Sequence, residues 1–229
     1  MCGITGVYNY KTNQLISQET LNSMTLSLSH RGPDEAKTYS DNFISFGFTR
    51  LSIIDLETGS QPMFSNSGRY ILIFNGEIYN FLSLKKKLLS EGYKFKSSSD
   101  SEVILALYDL GYKNPETELE GMFAFAIFDN FEKKLILSRD RIGKKPLFFS
   151  ETKYGVVFAS EIKSILKSGL LEKKINLSSI SNFLSLGYSP SDESNFRNIR
   201  QLKPGTRLEI KNSILEKQWW KLPSYPESN

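Results

Sequence analysis

The chain has 229 residues, 39% hydrophobic and 24% charged, which suits a globular domain with a substantial core. Its apolar runs are short, the longest around Met122 to Phe128, so no transmembrane span fits, and no signal-peptide pattern leads the chain. The net charge of +4 is mild and scattered, and with one cysteine and one histidine an internal disulfide is excluded, and Cys/His zinc sites and Ser-His-Asp triads cannot both be staffed. A reducing, cytoplasmic setting is the expectation.

Cys2 follows the initiator methionine and precedes Gly3 and Ile4. A small second residue lets an aminopeptidase remove Met1, which would put a thiol and a free α-amine on one residue. The amine (pKa about 8) can take the thiol proton (pKa about 8.5), so such a residue can serve as nucleophile and base together. A small buried apolar cysteine is the plainer alternative.

Gly3 to Tyr10 reads as a strand, and Ser17 to Ser29 as a helix with Leu21, Met24 and Leu28 on one face. Strands are predicted at Ile44 to Phe48 and Tyr70 to Phe74. Asn80 is placed to cap a helix running to Gly92, where a C-terminal glycine belongs. Lys85, Lys86 and Lys87 fall on that helix with Phe81, Leu84 and Leu88 as its apolar face, a solvated face rather than a nucleic-acid patch. A second helix is expected from Ser99 or Asp100 to about Gly111, with Ser99 and Glu102 spaced as a capping box. Met122 to Asp129 and Leu135 to Asp140 form a hairpin-like pair, and Leu147 to Phe149 and Val156 to Ala159 continue the strands. Helices follow at Glu161 to Lys167 and Ser178 to Leu186, then a hairpin from Arg207 to Trp220 turning at Asn212-Ser213. The reading is one α+β domain over 1–220, with 221–229 as a tail or linker.

Polar and glycine residues cluster at the ends of these strands. The clusters are His30-Arg31-Gly32-Pro33-Asp34, Arg50-Leu51-Ser52-Ile53-Ile54-Asp55, Asn75-Gly76-Glu77-Ile78-Tyr79-Asn80 and Ser97-Ser98-Ser99-Asp100-Ser101-Glu102. Arg139-Asp140-Arg141-Ile142-Gly143-Lys144-Lys145-Pro146 and Phe158-Ala159-Ser160-Glu161-Ile162-Lys163 complete the set. Together with Met1-Cys2-Gly3-Ile4, and in this order, they resemble the glutaminase domain of class II glutamine amidotransferases, which are N-terminal nucleophile hydrolases. The resemblance is strongest to the amino-terminal half of glutamine-hydrolysing asparagine synthetases and runs from Cys2 to roughly Trp220.

The resemblance implies a four-layer αββα sandwich of two antiparallel sheets, with Cys2 carried into a cleft between them. It implies Cys2 as nucleophile with its α-amine as base, and Asn75 and Gly76 as the oxyanion hole. Arg50 would bind the glutamine α-carboxylate, for which a guanidinium offers a rigid bidentate fork. Leu51, Ser52, Ile53 and Ile54 would line the same pocket, and Asp100 and Glu77 would take the α-ammonium. A helix cap for Asp100 and a type I′ turn for Asn75-Gly76 are the structural alternatives. His30 is expected to pack rather than act as base.

L-glutamine is the implied substrate, and this half of the reaction requires no metal or organic cofactor. ATP and Mg are expected only in a synthetase domain, whose Ser-Gly-Gly-x-Asp-Ser phosphate loop does not occur in this sequence. The chain then reads as an excised domain, a truncated product or a separate subunit that feeds ammonia to a synthetase partner. The paired Trp219 and Trp220 suit either a partner surface or a hairpin core. A homodimer is open, and neither nucleic acid nor membrane is an expected partner. Two other readings stay open: a glutaminase feeding another acceptor such as a sugar, and a non-catalytic module that keeps the fold. The Ile and Lys at 142 and 144 depart from related sequences, with no consequence foreseen for the glutamine site.

Overall fold

The computed structural model describes residues 1–12, 14–52, 59–190 and 192–223. In chain order the elements are β1 (Gly3–Tyr8), α1 (Gln18–Leu26), β2 (Glu35–Ser40), β3 (Ile44–Arg50), β4 (Met63–Phe64) and β5 (Tyr70–Ile78). Next come α2 (Phe81–Ser90), α3 (Glu102–Asp109), α4 (Pro115–Glu118), β6 (Gly121–Asp129), β7 (Lys134–Arg139) and β8 (Phe148–Glu151). The chain continues through β9 (Val156–Ala159), α5 (Ile162–Lys167), α6 (Leu177–Leu186), β10 (Arg200–Gln201), β11 (Thr206–Ile210) and β12 (Ile214–Gln218).

The strands form two six-stranded sheets, ordered β10-β8-β9-β1-β3-β2 and β12-β11-β7-β6-β5-β4, and every strand pair is antiparallel. Because side chains alternate along a strand, each strand sorts its residues between two cores. Ile4 and Tyr8 of β1, Ile44, Phe46 and Phe48 of β3, and Ile71 and Ile73 of β5 meet in the core between the sheets. The intervening residues face outward: Tyr70, Leu72 and Phe74 of β5 pack with Leu84 and Leu88 of α2 and Val103 to Leu107 of α3. On the other flank, Val7 joins Met24 of α1, Val157 and Ala159 of β9, and Ile165 of α5. These three cores separate four layers, helix, sheet, sheet, helix, so the αββα sandwich is the observed fold. α6 stands outside them, with Leu177, Leu184 and Leu186 exposed.

Several local expectations change. The third strand of the sequence reading, expected to end at Phe74, continues to Ile78, so Asn75, Gly76 and Glu77 lie within β5 and pair across to β6. This rules out a type I′ turn at Asn75-Gly76. Glu102 does not close a capping box: its carboxylate accepts from the Lys96 and Ser97 N–H groups at 2.9 and 2.7 Å, and α3 starts at Glu102 itself. Asn80 precedes α2 but bonds elsewhere, donating to the Glu118 carbonyl at 2.9 Å and accepting from the Glu120 N–H at 3.0 Å. Gly92 does end that helix, at φ +94°. β2, β4, β10 and α4 are additions to the sequence reading.

Trp219 belongs to the outer core, stacked on Phe123 at 6.1 Å between ring centroids, with the Arg141 guanidinium 5.9 Å from its ring. The inter-sheet core mixes aliphatic side chains with aromatic rings, among them the fully buried Phe46 and Phe158 in an edge-on pair at 6.0 Å. Phe46→Ala is expected to cost about 3–5 kcal/mol, read as a lowered urea midpoint at unchanged slope.

Candidate active site

The cleft forms where the inner faces of the two sheets run out of apolar residues. On β1 the inward row Tyr8, Gly6, Ile4 is continued by Cys2. On β3 the inward row Ile44, Phe46, Phe48 ends at Arg50. The register pairs Gly3 with Thr49, so Cys2 and Arg50 come out side by side at the same sheet end. From the opposite sheet, the inward row Ile71, Ile73 of β5 continues into Asn75 and Glu77. Four polar side chains therefore face one another by simple alternation. Together with Met1, Phe48, Leu51, Gly59, Gln61, Phe74, Gly76, Ser99, Asp100 and Lys145 they line a cleft of about 550 Å³ of empty space.

Cys2 is partly buried, and its thiol lies 3.8 Å from the Leu51 carbonyl oxygen, toward which the S–H points. Burial pushes the thiol pKa up, while the N-terminal charge and Arg50 pull it back. The Met1 amine is pushed below its ordinary value, first by burial and then by Arg31 and Lys145. The backbone around Cys2 is fixed from both sides. Arg31 Nε donates to the Cys2 carbonyl at 2.9 Å, and the Ile4 N–H donates to Ser160 Oγ at 3.0 Å. His30 stays outside the cleft wall, its ring Nε2 2.9 Å from Glu161, which also takes Arg31 at 3.0 Å.

Asn75 is 1% exposed, and among the described residues neither its amide nitrogen nor its amide oxygen has a hydrogen-bond partner. Buried amides are nearly always satisfied, so an orphan at a cleft wall marks a place for a ligand. Gly76 is required by the sheet: a Cβ there would lie 2.3 Å from the Met122 carbonyl oxygen and 2.7 Å from Phe123 Cα of the neighbouring strand. The edge of β5 beyond the short β4 explains where the Gly76 N–H points. The Phe74 N–H donates to Gln61 Oε1 at 2.6 Å, and the Ile78 N–H to Asp100 Oδ2 at 2.8 Å. Alternation aims the Gly76 N–H, midway between them, at the same edge and into the cleft.

Asp100 is 5% exposed and precedes α3, so its alternative as that helix's cap falls away. Burial raises its pKa, and the nearby Glu77 raises it further. Arg50 is 7% exposed, with Glu35 of the neighbouring edge strand 4.0 Å from its guanidinium. Leu51 lines the cleft. The Ser52 N–H donates to Asp34 Oδ2 at 2.7 Å. Ile53 and Ile54 lie outside the described residues. Among the described residues, no group of three or more His, Cys, Asp or Glu is placed to hold a metal ion.

Gln61, Ser99 and Lys145 are cleft residues that sequence reasoning passed over. Nothing in the sequence marks Gln61. Lys145 lay in a quoted motif, and its signal was a lysine before proline in an otherwise apolar approach to Leu147. Arg139 and Asp140 build the turn that presents it. The Arg139 guanidinium donates to the Lys145, Leu202 and Gly143 carbonyls at 2.7, 2.6 and 2.5 Å. The Asp140 carboxylate accepts from the N–H groups of Phe123, Ile142, Lys144 and Lys145 at 3.1, 3.2, 2.9 and 3.0 Å. Ile142 and Lys144, the residues that depart from the resembled pattern, are exposed on this turn.

Residues 1–221 match the family described as the glutamine amidotransferase domain. Asparagine synthetase [glutamine-hydrolysing] 3 of Bacillus subtilis is 34% identical over 228 residues, covering 98% of this chain and 37% of its own. Asparagine synthetase [glutamine-hydrolysing] 1 of the same organism is 37% identical over 213 residues, covering 92% and 34%. The chain thus spans little more than a third of the length of these relatives. Among solved structures, the glutamine phosphoribosylpyrophosphate amidotransferase of B. subtilis complexed with ADP and GMP superposes with a TM-score of 0.68 at 21% identity, over 96% of this chain and 49% of its own, a likeness of fold. Sequence, layer order and cleft agree: the chain belongs to the glutamine amidotransferase domain family.

Proposed function

We propose that this chain hydrolyses L-glutamine to glutamate and ammonia through a thioester on Cys2, and that the ammonia serves asparagine synthesis from aspartate. The observation that carries the reading is the cleft itself. A thiol on one sheet faces an orphaned, buried amide on the other, with a guanidinium and a carboxylate at its flanks.

Removal of Met1 frees the Cys2 α-amine. The sulfur, its proton passed to that amine, attacks the side-chain amide carbon of glutamine, and the carbonyl oxygen takes up the negative charge. Asn75 Nδ2 and the Gly76 N–H are the donors available to it, both held in place before the reaction begins. As the tetrahedral intermediate collapses, the C–N bond breaks and the amine returns its proton to the departing ammonia. A water molecule, deprotonated by the same amine, then attacks the thioester and releases glutamate. Arg50 pairs with the substrate α-carboxylate, and Asp100 and Glu77 with its α-ammonium, so the molecule is held by both charges. These groups account for hydrolysis without metal or organic cofactor. ATP and Mg belong to the acceptor chemistry, in the part of the relatives that this chain does not span. A working thiol must stay reduced, which suits the cytoplasm.

Glutamate release by the purified chain, with Met1 removal verified by intact mass, tests the reading directly. Cys2→Ala is expected to abolish release, and release that survives it would sink the mechanism. Asn75→Ala is expected to lower kcat by about 10²–10³-fold with KM changed far less, as for loss of one oxyanion donor. His30→Gln is expected to retain measurable hydrolysis. A loss as complete as that of Cys2→Ala would overturn the role given to the α-amine.

The pH dependence of KM follows from Asp100. Only its ionised form holds an ammonium, and burial together with Glu77 raises its pKa. Glutamine binding should therefore weaken on acidification at a pH above the ordinary aspartate range, and Asp100→Asn should raise KM and flatten that dependence.

A further inference from the structure

Lys145 is 5% exposed, and its side chain reaches the wall of the glutamine cleft. Buried lysines are almost always paired, yet among the described residues no carboxylate forms an ion pair with this one, nor does its ammonium donate a hydrogen bond. The turn that carries it is built around the neighbouring residues Arg139 and Asp140, which between them satisfy its carbonyl and its N–H at 2.7 and 3.0 Å. Asp140 also binds the Phe123 N–H at 3.1 Å, and Phe123 is the residue opposite Gly76 in the sheet. The backbone of residue 145 is thus fixed beside the oxyanion end of the cleft, and its side chain lines the same wall as Cys2.

We propose that Lys145 is a positioning residue of this site: its buried charge in the cleft wall opposes protonation of the Cys2 amine–thiol pair and so favours the reactive form of the nucleophile. The inference rests on the glutaminase reading for its purpose, but not for its measurement. Burial lowers the affinity of Lys145 for its own proton, and Glu77 is the main charge that restores it. While Met1 is still in place, burial, Arg31 and Lys145 act against protonation of its amine, and Cys2 and Asp34 favour it. At the sulfur, Arg50 favours the anion and Asp100 opposes it. Arg50 has the larger effect on the thiol in the open cleft. Once it pairs with a substrate carboxylate, its charge is compensated, and Lys145, opposed mainly by Glu77, is the other cation in the cleft wall that Cys2 shares.

The chain's single cysteine makes the test clean. Wild-type protein with Met1 removed, K145M and K145R are alkylated with iodoacetamide over a pH series, and the mass shift reads one sulfur. K145M is expected to alkylate with its midpoint raised by about one pH unit, and K145R to keep the wild-type midpoint. The acid limb of kcat/KM for glutamate release should move with it. An unchanged alkylation midpoint in K145M of native circular dichroism and thermal melt overturns the proposal. If K145M does not fold, K145Q is put to the same comparison, because the turn is held through the backbone of residue 145 and not its side chain. Wild-type protein that releases no glutamate, with the midpoint still raised in K145M, would overturn the glutaminase reading and leave the role of Lys145 supported.

Discussion

The whole site depends on side-chain alternation in two stacked sheets. The inward rows of β1, β3 and β5 are apolar for most of their length, and their packing fixes register as well as stability, since a slip of one residue would turn every row outward. Cys2, Arg50, Asn75 and Glu77 are the terminal members of those rows. The catalytic geometry is thus an extension of the core. No loop has to hold these four side chains, and the inter-sheet contact of Phe46, Phe158 and their neighbours sets the width of the cleft.

Charge in the cleft is balanced rather than neutral. Arg50, Lys145 and the N-terminus bring positive charge, and Glu77 and Asp100 bring negative, within one cleft. Each sign is supported by neighbours outside the wall. Glu35 stands behind Arg50, and the Ile78 N–H holds Asp100. Arg31 grips the Cys2 carbonyl and is itself tied to Glu161 and through it to His30, so the histidine is linked at one remove to the backbone of Cys2. A zwitterionic substrate meets complementary charges already in place, which limits the reorganisation that binding costs.

Much of this was legible in the sequence because the long buried strands announce themselves. Met122 to Asp129 and Leu135 to Asp140 are continuous apolar runs, and both are found with boundaries shifted by a residue. The missed strands lacked that signal. Glu35–Ser40 is a polar edge strand with no buried residue, and β4 and β10 are two residues each. Polar residues usually end a strand, so Asn75 and Gly76 read as following one, whereas here both stay paired in register with Ala124 and Phe123 of β6. The Ser99–Glu102 box failed because a carboxylate at that spacing can reach back to either of two N–H clusters, and it chose Lys96 and Ser97. Lys145 could not be placed from spacing at all, because its position depends on a turn closed by Leu202, distant in sequence.

Gly76 and Asn75 differ in what their presence means. The close approach of Met122 and Phe123 demands a glycine at 76 for the sheet to form, so a chain under selection for folding alone would keep it after all activity was gone. Asn75 has the opposite standing. An unsatisfied buried amide costs about 1–3 kcal/mol, and an apolar residue of similar size would relieve the fold of that burden. Drift in a silent relative would erode position 75 first and position 76 last, so the asparagine is the residue whose retention reports that a catalytic duty is still being performed.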